Sequence, residues 1–251
     1  MNEPLTCLHT EPMTAEREWT ADGVPALSAA VSVPEPVPAA DRISRRIRRY
    51  YQLQCRSYFR YCEKTLLPQA AAEVRAALDA SRPLPRFRAE LTYQVTYNSG
   101  GLWSLWTQSR ETGPGWGPAL LRRGDTWDLT AGYPVPLTDL FPRRSGWKRR
   151  LLEAAESEVL RREAAGAGRY HEGIRRKLRR YFNPQNFYLT TEGLMLFYPM
   201  YAIAPAAEGV PAFLVPWAEL ETAPPGAASE KGGAGRDGRG EDLGAKKTGS
   251  G

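Results

Sequence analysis

Apolar and polar residues alternate cleanly from Phe87 to Tyr97. Phe87, Ala89, Leu91, Tyr93, Val95 and Tyr97 share one face, with Arg88, Glu90, Thr92, Gln94 and Thr96 on the other. This period of two predicts a strand with one dry and one wet face. Asn98-Ser99-Gly100-Gly101 follows as a hairpin turn, and a second strand runs from Leu102 to Ser109. That strand carries large residues on both faces: Leu102 and Trp106 on one, Trp103 and Leu105 on the other. A loop rich in Gly and Pro, Arg110 to Gly117, leads to a third strand ending at Trp127-Asp128-Leu129. Upstream, Leu27, Ala29, Val31 and Val33 also alternate, and Pro34-Glu35-Pro36 stops the run.

Helical periods separate these strands. Ile43, Ile47, Tyr51, Cys55, Tyr58 and Cys62 form one apolar stripe behind Asp41, a residue suited to cap a helix. The helix is expected to bend or restart at Pro68, continue through Val74 and Leu78, and end before Arg82-Pro83. A second helix is predicted from about Trp147 to Ala164. Ala165-Gly166-Ala167-Gly168 breaks it, and a shorter helix carries Ile174, Leu178, Tyr181 and Phe182 on one side. Two aromatic-rich runs then flank a polar turn ending in Gly193, read as a glycine at positive φ. A return strand, Phe213 to Leu220, closes the pattern. Periodicity places Ile47, Tyr51, Tyr58, Leu91, Tyr93, Val95, Leu151, Leu178, Phe187, Leu189, Leu196 and Phe213 in the core.

The fold class is therefore α+β: an antiparallel β-sheet with helices packed on one face and a disordered C-terminal tail. Residues 1–23 are polar and irregular and read as a loose N-terminal arm. Residues 24–221 form a single domain. Residues 222–251 are mostly Gly, Ala and charged or small polar residues, with Leu243 the only large apolar residue. Such a segment buries too little surface to offset its ordering entropy.

Several short motifs occur in a recognisable order. They are Thr96-Tyr97-Asn98, Leu137-Thr138-Asp139-Leu140-Phe141, Asn186 to Leu194, and Ile203-Ala204-Pro205 with Gly209. Together they resemble the C-terminal domain of RsiV-type anti-sigma factors, which also occurs beside PdaC-type peptidoglycan deacetylase domains. None of these motifs is catalytic; each marks a turn, an element entry or a strand. The resemblance implies an extracytoplasmic setting for the relatives. Among particular relatives it implies lysozyme sensing, sigma-factor control or deacetylation. Relatives often carry a Gly-Gly-Ala-His-type loop, whereas this chain has Gly113-Pro114-Gly115-Trp116-Gly117 with no histidine.

Composition narrows the chemistry. The 251 residues are 42% hydrophobic and 25% charged, as in ordinary globular domains. No run of about 18 apolar residues predicts a membrane span, and the acidic N-terminus is unlike a signal peptide. The expected location of the chain as given is cytoplasmic. Two histidines, His9 and His171, leave little for a histidine triad or a histidine-rich zinc site. Three cysteines make no disulfide framework. Cys55 and Cys62 lie two helical turns apart, about 10 Å along the axis, and read as small core residues. Glu153, Glu156, Glu158 and Glu163 read as a solvated helix face with intrahelical ion pairs. Asp128 and Asp139 sit at turn and cap positions. The expectation is that the protein is not an enzyme and takes no cofactor or metal.

The net charge is +6, with arginines concentrated at 42–60, 143–150 and 169–180. Nucleic acid or an anionic surface is therefore a second candidate partner, beside a protein or a cell-wall-related ligand. An accessory to a cell-wall polymer-modifying enzyme is the third reading, from the deacetylase association alone. The candidate ligand-binding residues are Trp103, Trp106, Arg110 and Trp116, around one hairpin and its loop, with Trp116 the leading anchor.

Overall fold

The computed structural model describes residues 6–117 and 119–220. The expected disordered tail lies outside the described residues. Six strands form one sheet in sequence order: β1 (Thr10–Ala21), β2 (Val24–Pro36), β3 (Phe87–Ser99), β4 (Leu102–Thr112), β5 (Ala119–Asp128) and β6 (Tyr133–Pro134). Three more form a smaller antiparallel sheet: β7 (Phe187–Leu189), β8 (Gly193–Phe197) and β9 (Ala212–Pro216). The α+β class holds, with two departures from the expected layout. The large sheet is mixed, because β2 and β3 pair in parallel across the intervening helices. The helices also serve two separate layers rather than one face.

The expected loose arm is strand β1, paired with β2 from Thr10↔Pro36 to Ala21↔Val24. Met13, Ala15 and Trp19 face inward and pack on the core, and Trp19 meets Phe59 at 6.3 Å. The local signal is Asp22-Gly23, a two-residue hairpin turn in which both residues take positive φ. Glutamates and a proline on the outer side of β1 hide that alternation in the sequence.

Helix α1 (Arg42–Tyr61) begins where Asp41 Oδ1 accepts the amides of Ile43 and Ser44, at 2.7 and 2.9 Å. It runs through a π-helical segment, Cys62–Leu66, into α2 (Leu67–Asp79). Pro68 cannot donate an amide to the preceding turn, so the helix widens there and restarts. Ile47, Tyr51, Cys55, Tyr58 and Cys62 are all buried against one face of the large sheet, with Trp103, Leu105, Trp127 and Leu129.

The other face of β4 and β5 carries the smaller sheet. Leu189 N donates to the buried Ser104 Oγ at 2.9 Å, and Ser104 Oγ meets Thr126 Oγ1 at 2.8 Å. This explains the large residues on both faces of β4: it lies between two cores. The second core gathers Leu151, Ala155 and Val159 of α3 (Trp147–Ala164), Leu178 of α4 (Ile174–Arg180), and Phe187, Leu196, Tyr198 and Phe213.

A bulge after Val95 changes the expected alternation of β3. Val95 opposes Leu105, but Tyr97 opposes Ser104, so Thr96 is the extra residue. Tyr97 therefore joins the second core, and Tyr93 and Val95 are only half-buried. The other ten residues assigned to the core by periodicity are buried. Gly193 also has a different role from the one expected. Its φ is not in the left-handed region. A Cβ there would lie 2.8 Å from the Val215 carbonyl carbon and closer still to its oxygen. The glycine is needed for close approach of β9, not for turn handedness.

Candidate functional site

The four predicted binding residues do not converge. Trp103 is fully buried, edge-on to Tyr51 at 5.8 Å, and cannot meet a ligand. Burial follows from strand parity: Trp103 points at α1, where the apolar stripe lies. Trp106, on the opposite face, is half-buried beneath the guanidinium of Arg122 at 4.7 Å. Arg122 is held there by two bonds to Gln108 Oε1, at 3.0 and 2.8 Å. Arg110 is exposed on the same face of β4 as Trp106. Trp116 is half-buried and folds onto Phe87 at 4.7 Å, at the far end of the first core. The turn at Asn98 is also engaged: its side-chain amide donates to Leu8 O at 2.9 Å and accepts Leu8 N at 2.8 Å.

The structure instead opens two clefts along β5. The larger, about 670 Å³, lies between α1, the β4–β5 ladder and the segment Pro199–Tyr201. Its apolar wall includes Leu91, Leu120, Leu121, Met200 and Tyr201. Leu121 is 69% exposed and Tyr201 51%, large apolar surfaces at the mouth. Its polar groups are Gln54, Ser57, Thr107, Ser109, Glu111 and Arg123. The second cleft, about 570 Å³, is lined by Arg122–Thr126, Pro134–Thr138 and Pro184–Phe187.

Helix spacing and strand parity build the larger cleft. Gln54, Ser57, Tyr58 and Tyr61 recur at three and four residues on one face of α1. Thr107, Ser109 and Glu111 sit on the same face of β4, beneath them. Gln54 Nε2 donates to Thr107 Oγ1 at 2.9 Å, which leaves Gln54 Oε1 buried without a partner. Tyr58 donates to Glu90 O at 2.9 Å, and Tyr61 to Glu111 Oε2 at 3.2 Å.

A carboxylate network lies behind Arg123, centred on Asp125, which itself lines the smaller cleft. Asp125 is 6% exposed and accepts from Tyr50 at 3.2 Å, Tyr51 at 3.3 Å and Arg123 Nε at 3.1 Å. Trp127 Nε1 donates to Tyr51 Oη at 3.2 Å. Burial first, and the Asp125 charge second, push both phenols above their ordinary range. Burial pushes Tyr58 up as well and Tyr61 to about 12. These phenols stay protonated at neutral pH and serve as donors. Burial also raises the Glu111 carboxyl, against the opposing bond from Tyr61. The buried Cys62 thiol is raised to about 11, unlike an activated thiolate.

The arginines of the two helical regions cover different cores. On α1, Arg45 donates to Ala40 O, Arg46 to Gly132 O, and Arg48 pairs with Glu35 at 2.6 Å. On α3, Glu158 binds Arg161 and Arg162 at 2.6 and 2.7 Å, and Glu156 pairs with Arg175 at 3.3 Å. Glu158, and Glu153 with Arg149 at 4.0 Å, make the intrahelical pairs that their spacing predicts, whereas Glu156 reaches across to α4. Asp128 is the expected turn aspartate, accepting the amides of Thr130 and Ala131. Among the described residues, no group of three or more His, Cys, Asp or Glu is placed to hold a metal. No helix among them is long and apolar enough to cross a membrane.

The long six-stranded sheet with a second small sheet on its back is a shared architecture. Residues 138–218 match the DUF3298 family, described as protein of unknown function. The match covers α3, α4 and the small sheet. Two solved structures of DUF3298 proteins extend the likeness to nearly the whole fold. One, from Bacteroides fragilis NCTC 9343, has 15% identity and a TM-score of 0.65, covering 87% of this chain and 94% of that one. Another, from Pseudomonas aeruginosa PAO1, has 19% identity and a TM-score of 0.55, covering 85% and 93%. At such identity the likeness concerns the fold. No curated protein matches the sequence.

Sequence reasoning missed the cleft because its walls come from three distant segments. Ser57, Glu111 and Leu121 each look like ordinary surface residues alone. One usable signal was present: Leu120-Leu121 beside two arginines on a strand that otherwise alternates.

Proposed function

We propose that this domain is a non-enzymatic binding and sensing module that recognises a protein or cell-wall-related ligand in the cleft between α1 and β5. One observation carries the reading: an open cleft of about 670 Å³ with an apolar mouth and convergent polar groups on its floor. Concave sites of this size, mostly apolar with a few fixed polar groups, are the usual form of a binding site. Ser57, Ser109 and Glu111 on its walls provide directional hydrogen bonding. Leu121 and Tyr201 provide apolar area that is otherwise left in water. The resemblance to RsiV-type domains, some of which sense lysozyme, supports a protein ligand and suggests the first probes.

The test is calorimetric titration of the full chain with lysozyme and, separately, with soluble peptidoglycan fragments. Binding to either, weakened at least tenfold by Leu121→Asp, supports the reading. Leu121 is exposed, so the substitution leaves the core untouched. Turnover of the fragments, or binding unaffected by Leu121→Asp, contradicts it.

A further inference from the structure

We propose that the outer edge of β5 takes an extended, acidic and apolar peptide of a partner protein as an added strand. The inference deepens the binding-module reading above and rests on it.

The backbone parity of β5 is fixed from both sides. Leu129 N donates to Gly101 O, so Trp127, Asp125, Arg123 and Leu121 direct their backbone groups toward β4. Val135 N donates to Thr126 O, so Thr126 and its even-numbered neighbours direct theirs outward. β6 covers only the end of that outer edge, pairing with Trp127 and Asp128. Among the described residues no strand lies alongside from Ala119 to Asp125. Leu120, Arg122 and Gly124 therefore present a row of outward amides and carbonyls. Over seven residues the free edge is about 24 Å long.

The two edges of the large sheet are treated differently. β1, at the other edge, carries Glu11, Pro12, Glu16, Arg17 and Glu18, and a bulge between Trp19 and Thr20. These are the usual devices that prevent an edge from pairing. β5 has no bulge against β4 and no proline from Ala119 to Asp128, and Gly124 gives its middle no side chain. The unprotected edge is also the one flanked by clefts. Leu120, Leu121 and Arg123 open onto the larger one, and Arg122 to Thr126 onto the smaller.

This combination is what strand addition requires: main-chain groups for affinity and pockets for alternate side chains. The walls select the occupant. Pro134–Thr138 and Pro184–Phe187 rise beside one end of the edge, and Pro199–Tyr201 beside the other. A recessed edge admits a single extended chain more readily than the sheet edge of a second folded copy. The side chains select the sequence. Leu121, Met200 and Tyr201 fit an apolar residue. On the opposite face of the sheet from Leu121, exposed Arg110 fits an acidic one. The chain's net charge of +6 favours the same partner.

The experiment is selection of a displayed random twelve-residue peptide library on the full chain. Affinities of the selected peptides follow by fluorescence polarisation. Arg122→Pro deletes an outward amide that the sheet does not use, and Arg122→Ala removes only the side chain. The expected result is enrichment of peptides alternating apolar residues with Asp or Glu. Arg122→Pro should weaken them at least tenfold and Arg122→Ala less than threefold. If Arg122→Pro fails to fold, N-methylation along the peptide, read on the unmodified protein, decides. Methyl groups should abolish binding at every second residue only. Equal effects of the two substitutions, methylation without alternation, or no enrichment would overturn the proposal. Lysozyme or fragment binding sensitive to Leu121→Asp, without peptide enrichment, would defeat strand addition alone. Absence of all binding would defeat both readings.

Discussion

Gly124→Ala probes the joint between the two sheets. An added Cβ would lie 2.7 Å from the Phe187 carbonyl carbon, closer still to its oxygen, and 3.3 Å from Phe197 Cε1. Carbon atoms in contact prefer about 3.5–4.0 Å, so β5 and β7 must separate by roughly 1 Å. The Phe187 backbone has little freedom to yield, because β7 is paired with β8 and buried on the second core. Separation also stretches the bond from Leu189 N to Ser104 Oγ, now 2.9 Å and buried. Overpacking costs about 1–3 kcal/mol, and an orphaned buried amide about 1–3 more. The expected loss is therefore roughly 2–5 kcal/mol. Urea unfolding measures it as a lower midpoint at unchanged slope. Gly117→Ala is the control. Its Cβ would meet only Tyr201 Oη, at 3.9 Å, and it should fall within about 0.5 kcal/mol of the parent. A Gly124→Ala loss below about 1 kcal/mol would refute the close-packed joint.

Asp125→Ala should cost about 2–4 kcal/mol in the same assay, because it orphans the hydroxyls of Tyr50 and Tyr51; a loss under about 1 kcal/mol would mean that water replaces the carboxylate freely. Glu111→Gln should gain on the parent as pH rises. Its folded carboxyl titrates above the ordinary 4.5, so the parent's contribution is full below that value and is lost as pH rises through the raised one. A stability difference that is flat or shrinks between pH 4 and pH 7 would contradict the sign. Trp116→Ala should lower stability by about 1–3 kcal/mol, since the indole covers Phe87; a change under about 0.5 kcal/mol would favour an exposed anchor.

Much of this architecture was legible in periodicity. The stripe on α1, the dry face of β3 and the return hairpin all rest on contacts that local spacing dictates. Where longer-range geometry enters, local spacing misleads. The Thr96 bulge reverses Tyr97, and its cause is the meeting of β3 with two cores at once. β1 is a strand because β2 and Phe59 receive it, although Glu11, Glu16, Arg17 and Glu18 obscure its apolar pattern. Gly193 is required by β9, more than twenty residues away in the chain. The site suffered most. Tryptophans stand out in a sequence, yet Trp103 is the residue best placed to fill the core between α1 and β4. The groups that line the cleft are common types whose convergence depends on the parallel β2–β3 crossover that sets α1 across the sheet.

The most direct test of the account is amide hydrogen exchange on the full chain, with and without the tightest peptide from the selection. The account predicts slowed exchange at residues 119–124, with smaller effects at 54–61 and 199–201, the segments that wall the larger cleft. Unchanged exchange at 119–124, with protection confined to α4 or to the turn at Asn98, would contradict it.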